Sequence, residues 1–129
     1  MKSGKIIIEN KVLETLLAIT ASEQERGLME QKWPPPIMSF VYSQPQINKF
    51  WMYRTPSPLD IVFCKRGQIF NICHGKPHST EIIGDDTFSD LIVELPYGTC
   101  EKMAIKIGDN IRLITEDLDN QNIYSKVLK

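Results

Sequence analysis

No uninterrupted apolar run in this chain exceeds four residues. The longest are Leu16-Leu17-Ala18-Ile19, Phe50-Trp51-Met52-Tyr53 and Ile61-Val62-Phe63-Cys64. Runs this short, bounded by glycine, proline and polar residues, suit strands rather than long buried helices. A membrane-spanning helix needs about 20 apolar residues, so no membrane span is expected. A secretory signal needs an apolar stretch of roughly 7 to 15 residues, and only Ile6-Ile7-Ile8 follows the first lysines. The chain as given therefore reads as cytosolic.

The 129 residues suit a single domain, with a core over about residues 6–115 and a polar tail over 116–129. Folding at this length buries roughly two thirds of the unfolded surface. Fifteen basic residues against sixteen acidic ones give a net charge of −1. Such a balance gives no support to nucleic-acid binding, because the basic residues are interleaved with acids. The cysteines Cys64, Cys73 and Cys100 are odd in number and lack CxxC spacing. They read as small buried hydrophobes with free thiols rather than as a disulfide or zinc framework.

Along the chain, Ile6–Glu9 and Lys11–Thr20 read as paired strands turning near Asn10. Ser22 followed by Glu25 predicts a capping box that opens a helix carrying Leu28 and Met29. Trp33-Pro34-Pro35-Pro36 is expected to end it. Period-two patterns then predict strands at Ile37–Tyr42, Lys49–Arg54, Leu59–Cys64, Gln68–Cys73, Leu91–Leu95, Ile105–Ile107 and Ile111–Thr115. Ser43–Gln46 and Lys65–Gly67 read as turns, His74–Asp86 as a long loop, and Thr99 as the cap of one helical turn. The pattern shows no βαβ alternation. It predicts a mainly β fold: an antiparallel sandwich or partly open barrel of about eight short strands with one short α-helix.

Five strings occur in order: Glu25-Arg26-Gly27-Leu28-Met29, Met38-Ser39-Phe40-Val41-Tyr42, Phe50-Trp51-Met52-Tyr53-Arg54-Thr55-Pro56-Ser57-Pro58-Leu59-Asp60, Val93-Glu94-Leu95-Pro96-Tyr97-Gly98 and Ile105-Lys106-Ile107-Gly108-Asp109. Together they resemble the family known as domain of unknown function 192, over roughly residues 6–115. The resemblance implies a small β domain with one short helix and carries no established activity. Many relatives are exported or lipid-anchored, which this chain's first residues do not match. The chain also departs at Ile37, where relatives usually have glycine, and at Tyr53, where they often have lysine.

The candidate ligand-binding residues are Arg26, Trp51, Arg54, Thr55, Asp60 and Glu94. Trp51 offers a flat stacking surface if it faces outward and core packing if it does not. Arg54 suits a carboxylate or phosphate, or a structural pair with Asp60. Asp60 can cap backbone amides, pair with Arg26 or Arg54, or act as a base. Arg26 can lock helix to sheet through Asp60 or Glu94. Glu94 alternates with Val93 and Leu95 and should point to solvent or a cleft. His74 and His78 flank Gly75-Lys76-Pro77, a spacing that does not favour a metal. No nucleotide-binding glycine loop is present, and no cofactor is expected.

These features favour a binding or accessory module, monomeric or weakly dimeric, for a small ligand or peptide. Its ligand would be a carbohydrate or an anionic group, held where the Trp51 segment, the Thr55–Asp60 loop and the Arg26 helix meet. One alternative is a hydrolytic enzyme using Asp60 or Glu94 as acid or base. Another is a structural protein–protein interaction domain with an exposed sheet edge.

Overall fold

A computed structural model describes residues 1–115. It contains seven strands and two short helices: β1 (Ser3–Ile8), β2 (Lys11–Ala18), α1 (Ala21–Arg26), β3 (Met38–Ile47), β4 (Leu59–Lys65), β5 (Gln68–Gly75), β6 (Phe88–Pro96), α2 (Thr99–Lys102) and β7 (Ile111–Thr115). The polar tail expected at 116–129 lies outside the described residues. All seven strands form one sheet in the order β5-β4-β6-β3-β2-β1-β7.

The sheet curls into a half-barrel. At one end its two edge strands approach, with Ile69 N–H donating to Asp109 O (3.0 Å) and Ile111 N–H to Gly67 O (2.9 Å). Curling brings distant strands together over one concave core. Ile6 and Ile8 from β1 and Leu113 from β7 meet Val62 from β4 and Leu91, Val93 and Leu95 from β6. The other face of the central strands carries a second cluster. There Phe40, Leu59, Ile61, Phe63 and Ile92 pack under Leu28 and Met52. Strand alternation explains the division, since residues 91, 93 and 95 of β6 project opposite to residues 92 and 94.

Mainly β architecture holds, and several local expectations change. β2 and β3 pair in parallel, Leu16 with Met38 through Ala18 with Phe40. The helix between them makes this one βαβ unit, which the sequence reading had excluded. A parallel pair needs a crossover rather than a hairpin, and residues 19–37 supply it. The capping box sits two residues earlier than expected. Thr20 Oγ1 accepts from Glu23 N–H (3.2 Å), and the Glu23 carboxylate accepts from the Thr20 and Ile19 amides (3.0 Å each). Thr20 holds the extended backbone of a strand leaving the sheet, which is the conformation an N-cap requires. The helix ends at Gly27, with φ +50°, rather than at the prolines. Leu28 and Met29 therefore belong to the segment after the helix.

Lys49–Arg54 is no strand of the sheet. Phe50 bridges Ile83, Met52 N–H donates to Ser79 O (2.9 Å), and Thr55 N–H closes a turn on Met52 O (3.0 Å). The long 76–87 segment supplies the partners that the sheet does not. Alternation survives locally: Met52 is buried, while Trp51 and Tyr53 face outward. The turn expected at Ser43–Gln46 is absorbed into β3 as a register shift between Val41 and Gln46. Ile105–Ile107 is not a strand, and Ile105 plugs the concave core instead.

Candidate functional site

Glu94 sits in the middle of the sheet, opposite Met38 of β3 and Ile61 of β4. Its residue is 4% exposed, and Oε1 finds no hydrogen-bond partner among the described residues. A buried carboxylate is costly without partners. Burial pushes the Glu94 acid up to about 8, with no cation among the described residues offsetting it. The nearby Tyr42 phenol is pushed up to about 12, first by burial and then by the Glu94 charge.

Two local features bring the chain over this acid. Gly27, in the left-handed region, lets the helix exit cross close above β3 and β6. A Cβ there would stand 3.3 Å from the Phe40 ring and 3.6 Å from Glu94 Oε1. Gly27→Ala is accordingly expected to cost about 1–2 kcal/mol, from strained backbone and crowding. Chemical denaturation of the variant checks this, and an unchanged midpoint would contradict it. On the far side, Glu30 and Arg54 clip the helix exit to the aromatic loop. Their side chains form an ion pair, and Glu30 N–H donates to Arg54 O (2.7 Å).

Between these walls lies a cavity of about 300 Å³, at the small end of ligand-site volumes. Glu94, Phe40, Tyr42 and Phe50 line it, with Arg26, Lys49, Trp51, Tyr53 and Thr55 around it. Trp51 is 49% exposed and stacks on Tyr53, with ring centroids 5.0 Å apart and planes at 29°. Trp51 is thus a surface platform, not a core residue. The cations here have acidic partners other than Glu94: Arg26 pairs with Glu30 (3.6 Å) and Lys49 with Asp86 (2.9 Å). Thr55 Oγ1 donates to Tyr53 O (3.1 Å), holding the turn that presents the aromatic pair. A larger hollow of about 610 Å³ beside β1 and β2 contains, among the described residues, no buried side-chain polar atom without a partner.

Four of the six residues singled out from sequence, Arg26, Trp51, Thr55 and Glu94, meet at this cavity. Arg54 does not line it; it faces a neighbouring hollow with Tyr53, Pro56 and His78. Asp60 belongs to the opposite face of the sheet. Ile61 lies directly across from Glu94, so Asp60, one residue earlier, must project the other way. There Asp60 Oδ2 accepts from the Gly98 and Cys100 amides (3.1 and 2.9 Å), and Oδ1 pairs with His74 Nδ1 (2.9 Å). The expected pairings of Arg26 with Asp60 or Glu94, and of Arg54 with Asp60, do not form, because Glu30 takes both arginines. Thr99 does not cap α2; its hydroxyl donates to Pro96 O (2.6 Å), and Asp60 acts as the acceptor at that helix start.

Sequence reasoning missed Gly27 and Tyr42. The glycine directly after a short helix was a usable signal for a left-handed exit. Nothing local marked Tyr42, which reaches the site through the register of β3. The thiols are free, as expected. Burial pushes Cys64 well up and Cys100 up to about 12, with Asp60 adding to the latter. Neither thiol is poised as a nucleophile at neutral pH.

Solved structures share the fold. A protein of unknown function from Novosphingobium aromaticivorans aligns with a TM-score of 0.77 and 26% identity, over 84% of this chain and 83% of that one. A protein from Sinorhizobium meliloti, described as a candidate transcription regulator, aligns with a TM-score of 0.76 and 28% identity, over 87% and 92% of the two chains. Among curated proteins, none matches the sequence. The family pattern described as "Uncharacterized ACR" matches residues 5–113, and the chain belongs to that family, domain of unknown function 192.

Proposed function

We propose that this protein is a small binding module whose ligand enters the cavity over Glu94. The observation that carries the reading is Glu94 Oε1, which has no hydrogen-bond partner among the described residues and is buried beside an aromatic-walled cleft. Buried polar atoms are ordinarily satisfied, and an exception in a cleft marks a place where an incoming group supplies the missing bond. The stacked Trp51–Tyr53 pair adds an apolar surface at the entrance.

A fragment screen by NMR tests this. Perturbations should cluster at the Trp51 indole and at Tyr42 and Thr55, while Trp33, exposed and outside the cavity, serves as the control. Shifts scattered over the surface, or confined to Trp33, would sink the proposal. The acid–base alternative now rests on Glu94 alone. A carboxyl kept protonated near neutrality is a competent general acid, whereas Asp60 is committed to capping α2 and holding His74.

A further inference from the structure

We infer that the ligand of the Glu94 cavity carries a protonated amine, which forms an ion pair with the Glu94 carboxylate between aromatic walls. This rests on reading the cavity as a binding site. Three features of the cavity select the ligand class.

The first is the buried acid of the floor. Glu94 is a buried acid with one oxygen lacking a partner among the described residues, and no cation among those residues compensates it. An anionic ligand would meet this acid and the Tyr42 ring beside it. A cation supplies both the missing donor and the missing charge. The second is the walls. Phe40, Phe50, Tyr42 and Trp51 present π systems around the acid, and ammonium groups are attracted to such faces. The third is the rim. Arg26 and Lys49 would repel an incoming cation if free, but Glu30 and Asp86 hold them.

The ionisation balance makes the idea testable. The other titratable groups facing the cavity are Glu25 and Arg26 from the helix, Tyr42 from β3, and Lys49 and Tyr53 from the aromatic loop. Before any ligand binds, Glu94 is the neutral acid below pH 8. Binding of R–NH₃⁺ then converts Glu94–COOH to Glu94–COO⁻ and releases one proton to the buffer. Apparent affinity should therefore rise about tenfold per pH unit between pH 5 and 7 and level off above pH 8.

The test is an NMR titration of the full chain in phosphate and borate buffers with n-butylammonium and, separately, methyl β-D-glucoside. Butylammonium is expected to shift the Trp51 indole with that pH dependence. Glu94→Gln should abolish the dependence and weaken binding at least tenfold. Trp51→Leu, an exposed change that leaves the core intact, should weaken it about fivefold. Butylammonium binding that ignores pH or Glu94→Gln overturns the inference. So does glucoside binding at Trp51 without amine binding, which leaves the binding-module reading standing. No shift at the cavity from either probe or from a fragment library overturns both.

Discussion

Replacing Glu94 with glutamine is expected to flatten the stability profile of this protein between pH 5 and pH 8. Burial raises the acid from 4.5 to about 8 in the folded state. Between those values the folded state holds a proton that the unfolded chain releases. The stabilising contribution is therefore fully present below about pH 4.5 and is lost as pH rises through 8. The shift corresponds to a loss on the order of 4 kcal/mol across the window. Glutamine preserves the shape and cannot ionise, so the variant should be the more stable protein at pH 8. Urea unfolding of both proteins at pH 5 and pH 8 provides the comparison. The buried Asp90 is also pushed up, chiefly by burial, and contributes in the same direction to both proteins. The difference of differences isolates Glu94, and equal slopes in the two proteins would contradict its burial as an unpartnered acid.

The second large effect is expected from Asp60→Ala. Asp60 is 1% exposed, accepts two amides at the start of α2 and holds His74. Alanine leaves the buried Cys100 amide and the half-buried Gly98 amide without that acceptor. Hydrogen bonds to a charged group contribute about 1.5–3 kcal/mol each, and unsatisfied buried donors add their own penalty. The loss should be on the order of 3–5 kcal/mol. Asp60→Asn, which keeps one carbonyl oxygen for those amides, should lose about half as much. Hydrogen exchange should quicken at Gly98 and Cys100 before it does in β4. A cost below about 1 kcal/mol would show that the carboxylate is dispensable there.

The strands were legible in the sequence where both faces of a segment reported their surroundings. Ile61-Val62-Phe63-Cys64 is apolar on both sides because β4 lies between two cores. Leu91, Val93 and Leu95 announced one core by alternation, and Glu94 between them announced a different environment. The reading failed where backbone partners came from far along the chain. Phe50–Tyr53 has the composition of a strand but bonds to residues 79 and 83 of the long loop. The parallel pairing of β2 and β3 was equally hidden, because period-two patterns carry no strand direction.

The candidate site was half legible for the same reason. Local pattern marked Arg26, Trp51, Thr55 and Glu94 as residues needing an explanation. It could not tell that Asp60 and Glu94 lie on opposite faces, since that depends on the β4–β6 register. Sequence alone determined the mainly β class, the short helix, the free thiols and the alternating environment of Glu94. These follow from local periodicity, capping chemistry and residue counts. Only the tertiary structure decided that Glu94 is buried without a partner for Oε1 among the described residues, that Glu30 takes both arginines, and that Gly27 crosses close above the acid. Each depends on which distant segments meet, and no spacing along the chain encodes that meeting by itself.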